Sequence, residues 1–183
     1  SDDEGVFTIG CAGGEETLVS LDLEREPPGD DRPRGRFRVG GLKGGHSGVD
    51  IVRQRANANR LLGRVLDQAL GLSGTGLIAV AGGSAHNAIP RDAEALVAAP
   101  AGGFPALEAL AAAMQALFRR EHGPRDPGIQ VAFAPWSGEA PTPLTAAAAR
   151  RVVDLLLVLP HGVAGMSREV EGLVETSSNL AVL

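Results

Sequence analysis

The chain has 183 residues, 44% apolar and 21% charged, enough to bury a substantial core and too apolar for a disordered segment. Its net charge of −5, with acids interspersed among the bases, excludes a surface that tracks nucleic-acid phosphates, and no apolar stretch approaches the roughly 20 residues of a bilayer span. The single cysteine, Cys11, excludes an internal disulfide and fits a reducing compartment at least as well as an oxidising one.

In chain order, residues 6–9 and 17–23 are short β-rich runs either side of Gly13-Gly14 and predict a leading hairpin. Cys11, with no base beside it, reads as a small buried residue within it. The acidic first residues argue against a secretory signal, and an opening without methionine suggests an excised or processed piece. Residues 25–35, rich in Pro, Gly and Asp, predict a loop, after which Phe37 and Val39 alternate in a strand over 36–42. Beyond Gly44, the spacing of Leu61, Leu62, Val65, Leu66 and Ala69 predicts an amphipathic helix beginning near Val49 and ending near Leu70. Residues 77–81 and 91–99 predict antiparallel strands. Pro105 suits a first helical turn, and Leu107, Leu110, Met114, Leu117 and Phe118 mark the second helix. Residues 129–133 supply a closing strand.

The order over 36–135 is therefore β-α-β-β-α-β, an α+β, ferredoxin-like two-layer sandwich with both helices on one face of an antiparallel sheet. Residues 1–35 form the expected leading hairpin and loop, and 136–183 a linker, a helix from Thr145 to Pro160 and a terminal strand. That strand, within 173–183, has no evident partner, so a second lobe continuing beyond it is expected.

Two places could carry chemistry. His46 lies in Gly44-Gly45-His46-Ser47-Gly48, where small neighbours expose an imidazole able to donate to a carbonyl oxygen as charge develops there. Asn87, in His86-Asn87-Ala88-Ile89-Pro90-Arg91, offers amide donors and an acceptor, and with Arg91 could grip a peptide carbonyl and carboxylate. Each also has a plain reading, as a solvated loop histidine, a turn asparagine and a solvated arginine, which spacing does not exclude. The glycine-rich stretches 71–76 and 82–83 lack the pattern of a phosphate-binding loop. The four histidines lack metal-ligand spacing, so no metal site is expected within this chain.

Taken together, Gly41-Leu42-Lys43-Gly44-Gly45-His46-Ser47-Gly48 with Asn57-Ala58-Asn59-Arg60-Leu61-Leu62, Asn87-Ala88-Ile89-Pro90-Arg91 and Val174-Glu175-Thr176-Ser177-Ser178-Asn179-Leu180 resemble the dipeptidases of the M20 metallopeptidase family in order and spacing. Ser1-Asp2-Asp3-Glu4-Gly5 and Ile9-Gly10-Cys11-Ala12-Gly13-Gly14 are similar as well. The resemblance implies a lid and dimerisation domain of a cytoplasmic di-zinc dipeptidase cleaving dipeptides such as Xaa-His. It implies two zinc ions and their ligands in the parent's catalytic domain, outside this chain, so that the fragment alone is inactive. It assigns His46 to stabilising the tetrahedral intermediate and Asn87 to substrate, and it places the carboxylate-binding arginine beyond Leu183, which leaves Arg91 resting on its chemistry alone. The implied partners are the dipeptide, the catalytic domain and a second copy of the chain, with no nucleic acid and no membrane. Two other readings stay open: a non-catalytic ferredoxin-like association module, and the lid of a related amidohydrolase acting on acylated amino acids.

Overall fold

The structure, a computed structural model, describes residue 5 and residues 13–183. Its elements run β1 (Arg34–Gly40), β2 (Gly45–His46), α1 (Ala58–Ala69), β3 (Gly76–Gly82), β4 (Ala88–Ile89), β5 (Ala93–Ala98), α2 (Phe104–His122), β6 (Gln130–Trp136), α3 (Ala146–Val158), β7 (Gly162–Met166) and β8 (Val174–Ser178). β3, β5, β1 and β6 lie side by side in that order, every neighbouring pair antiparallel, and α1 and α2 connect them in the split β-α-β-β-α-β arrangement. The ferredoxin-like α+β lobe expected from the sequence is what forms.

Alternation decides which face is covered. In β1, Gly35, Phe37 and Val39 are buried beneath the helices, while the intervening Arg34, Arg36 and Arg38 turn to the opposite face. The Phe37 and Phe133 rings tilt together across the β1–β6 pair at 4.8 Å, with Phe104 edge-on to Phe133 at 5.2 Å. Gly35 lies directly under the Phe133 ring, where a Cβ would stand 2.2 Å from it. From α1, Leu61, Leu62, Val65, Leu66 and Ala69 enter the same core as Leu107, Ala111, Met114 and Phe118 of α2. α3 joins this core through Val152, Val153 and Leu156, and Gly63 of α1 lets Leu156 come close enough that a Cβ would meet it at 2.8 Å.

Several expectations are corrected. The first helix does not begin near Val49: a short 3-10 turn covers Ile51–Arg53, Gln54 takes a left-handed conformation, and α1 starts only where the Asn57 side chain accepts from Arg60 N at 3.2 Å. Residues 17–23 form no strand, and Leu18, Val19, Leu21 and Leu23 are exposed; only the neighbouring Arg25 makes a bridge, to Leu144. The nearby outer edge of β3 is taken by other segments, since Leu144 N donates to Leu77 O at 2.7 Å and Leu183 N to Gly82 O at 2.9 Å. The other half of the expected hairpin, residues 6–9, and Cys11 lie outside the described residues. The terminal strand does have a partner: β8 pairs with β7, whose Gly162 and Gly165 give it little β character in sequence. Finally, the helical segment Ala101–His122, which contains α2, is by length and composition apolar enough for a bilayer span, against the reading that no stretch is. Its alanines supply the apolarity, and one of its faces is packed on the sheet.

Candidate functional site

β2 and β4 are two residues each, yet they bring the two sequence-predicted sites together. Gly45 pairs with Ile89 and His46 with Ala88, and Ser47 N donates to Asn87 O at 2.8 Å. The chain reaches this pairing through Gly44 and Gly45, both at positive φ (62° and 141°); a Cβ on Gly44 would lie 2.4 Å from Arg91 Cγ and 2.8 Å from Ile89 O. Gly44 is thus required by a close backbone approach, and Gly45 by the Asp50 and Arg55 side chains, 2.6 and 2.7 Å from where its Cβ would stand.

The His46 ring is exposed but its orientation is set. Nδ1 accepts from Gly48 N at 3.1 Å and Val49 N at 3.3 Å, so the neutral ring carries its proton on Nε2, which makes no hydrogen bond among the described residues. Asp50 reaches back to accept from His46 N at 2.9 Å and pairs with Arg53 at 3.1 Å and Arg55 at 3.7 Å. That backbone N–H, reinforced by the two guanidiniums, holds the Asp50 carboxyl below its ordinary range. Arg55 also donates to Gly44 O, closing the turn on itself. Lower down, the buried Asp126 carboxylate accepts from Lys43 N at 2.9 Å and Ala56 N at 2.8 Å.

Asn87 is exposed in the turn before β4, and its carboxamide makes no hydrogen bond among the described residues. His86 is a turn residue beside it, as its setting suggests. Arg91 is exposed but directed elsewhere: its Nε donates to Leu42 O at 3.2 Å, and it lines a groove of about 370 Å³ that also borders Arg38, Gly82, Ser84 and Glu94 but not His46 or Asn87. The structure therefore brings His46 and Asn87 to adjoining turns and sets Arg91 on the flank.

Behind Asn87 stands a network of neutral polar groups. Asn179 Nδ2 donates to Ala88 O at 2.8 Å. Asn57 Nδ2 donates to Leu180 O at 3.0 Å and lies 3.1 Å from His161 Nδ1, while Asn59 Nδ2 reaches Leu180 O at 3.2 Å and Ala181 O at 3.3 Å. Burial, helped by the Arg60 charge, pushes the His161 imidazole down to about 4, so it is neutral near pH 7. Gly83, at φ 74°, admits the tail, since a Cβ there would stand 1.8 Å from Ala181 O.

Sequence reasoning missed Asp50, Asp126 and His161, and gave no role to Asn57 and Asn179 although both stand in segments that carry the resemblance. Only Asn57, a capping residue before an apolar helical run, carried a usable local signal. Among the described residues no three His, Cys, Asp or Glu side chains gather as metal ligands.

This arrangement belongs to a known class of domain. Residues 37–126 match the peptidase dimerisation domain of the M20 peptidases, and this part of the chain belongs to that family. Along its whole length the chain is 33% identical to the cytosol non-specific dipeptidase of Escherichia coli strain K12, of which it spans 38%. It also superposes on the crystal structure of an aminoacylhistidine dipeptidase from Vibrio alginolyticus with a TM-score of 0.81 and 36% identity, over 88% of this chain and 33% of that one. The chain thus spans about a third of the length of the relatives it matches.

Proposed function

We propose that this chain is the lid of a cytoplasmic di-zinc dipeptidase acting on dipeptides such as Xaa-His, with residues 36–135 as the lobe that covers substrate. The names of the two similar proteins support the substrate class, one being a non-specific dipeptidase and the other an aminoacylhistidine dipeptidase. The observation that carries the reading is the His46 ring, anchored through Nδ1 and offering Nε2–H outward beside Asn87. A donor fixed in advance stabilises a developing oxyanion without reorganising at the moment of reaction. Asn87, with an uncommitted carboxamide, would hold the peptide beside it, and Arg91 is a weaker candidate because Leu42 O already occupies one of its donors.

On this proposal the two zinc ions belong to a catalytic part of the parent outside this chain. The role given to this chain is confined to covering, orienting and donating. Pairing of two copies has its own support: α2 leaves Ala109, Ala112, Ala113 and Ala116 exposed, and among the described residues no strand pairs with the outer side of β6.

His46→Ala in the full-length enzyme is expected to lower kcat by about 100-fold with the fold retained. A kcat within a factor of about three of wild type would end the proposed role. A panel of dipeptides and N-acylated amino acids fixes the substrate class, and preference for the acylated compounds would reassign it. Sedimentation tests the pairing, for which a monomer at high concentration would be the contrary result.

A further inference from the structure

We infer that Asp126 is a positioning residue for the same reaction: its carboxylate clamps the neck of the loop that carries His46 and so sets where the imidazole stands. The inference rests on the reading that His46 meets substrate.

The loop leaves the sheet after β1 and returns at the start of α1. Its outgoing end, Lys43 N, donates to Asp126 Oδ1 at 2.9 Å, and its returning end, Ala56 N, donates to Oδ2 of the same group at 2.8 Å. One side chain, 83 and 70 positions away in sequence, therefore closes the loop at its base. The clamp is itself fastened to the core. Asp126 N donates to His122 O at 2.8 Å, hanging the residue from the end of α2, whose other end and middle pack on the sheet through Leu107, Met114 and Phe118. The approach is possible because Gly41, at φ 73°, and Gly128 meet backbone to backbone, where a Cβ on Gly41 would lie 2.1 Å from Gly128 O.

A buried carboxylate is tolerated only where hydrogen bonds replace its water. Asp126 has no solvent exposure and forms no ion pair among the described residues, so these two loop amides are its replacement. Removing it strands the Ala56 N–H in the interior, takes the partner from the Lys43 N–H and frees the neck. The second carboxylate, Asp50, acts further up and closes the turn at the His46 backbone N–H, while Gly48 N and Val49 N hold the ring. Asp126 fixes the turn relative to the sheet, and displacement of about 1 Å at a reacting group can lower a rate by as much as 100-fold.

The test is kinetic and uses the full-length enzyme. Asp126→Asn keeps one accepting oxygen and turns an NH2 toward the other amide. Expected are a kcat lowered on the order of 10-fold with KM changed by less than about threefold, and faster hydrogen exchange at Lys43 and Ala56 with α1 and α2 unchanged. In a His46→Ala background the same substitution should lower kcat no further, since it acts through the ring. An undiminished kcat, or a full additional loss without His46, would overturn the inference. If His46→Ala alone leaves kcat intact, it is the functional reading that fails, and the exchange rates still report whether the clamp exists. Should Asp126→Asn fail to fold, Asp126→Ser, whose hydroxyl can serve one amide, is read in the same way.

Discussion

The two turns that meet at His46 and Asn87 are held by opposite chemistry. The His46 side is fastened by carboxylates, Asp50 and Asp126, accepting from backbone N–H groups. The Asn87 side is fastened by neutral groups, Asn57, Asn59 and Asn179, donating to backbone carbonyls with His161 among them. Intuition makes the carboxylate side the one that acid releases first, but the direction of the shifts says otherwise. Asp50 is depressed, so its contribution is present above the ordinary 3.8 and is lost only as pH falls through its lower folded value. His161 is depressed from 6.5 to about 4, so between those values the unfolded chain takes up a proton that the folded chain refuses. Stability falls as pH drops across that window, and the neutral side gives way first.

The largest expected effect comes from Asn57→Ala. It removes the cap of α1 and leaves the buried Leu180 carbonyl with one donor fewer, for a loss of about 2–4 kcal/mol. Urea unfolding should show a lower midpoint with unchanged slope; an unmoved midpoint would mean the neutral network holds nothing. Next comes the acid response. Unfolding followed from pH 7 to 4.5 should show declining stability in wild type and a flatter profile in His161→Gln, and parallel profiles would assign the loss to other groups. Asp50→Asn keeps an acceptor for His46 N but surrenders the charge facing Arg53 and Arg55, so kcat should fall only about threefold, whereas a drop as deep as that of His46→Ala would make Asp50 more than a brace. Smallest is Arg150→Ala, which breaks exposed pairs with Asp67 and Asp154 and should cost about 0.5 kcal/mol or less.

The sequence made the frame readable because its signals are periodic. Leu61, Leu62, Val65, Leu66 and Ala69 define the buried stripe of α1, and Phe37 and Val39 the buried face of β1. The same kind of signal misled at Leu18, Val19, Leu21 and Leu23, whose alternation forms no strand and lies exposed. Val49 and Val52 mimic a helical repeat but lie exposed around a 3-10 turn. The meeting of His46 and Asn87 had no local signature, since it depends on strands of two residues each and on contacts across 40 positions. Asp126 reads in sequence as an ordinary acid in a polar turn, and only the fold shows it buried under Lys43 N and Ala56 N.

The covered margin of β3 bears on assembly. Leu144 and Leu183 each spend a backbone donor on that strand, and the Arg25 guanidinium takes a third of its carbonyls, at Ile78. Growth of the sheet by strand addition is therefore stopped on that flank, and among the described residues β6 is the flank to which a neighbour could add. Two copies joined there would each turn a sealed flank outward, giving a ribbon that terminates itself instead of a fibre.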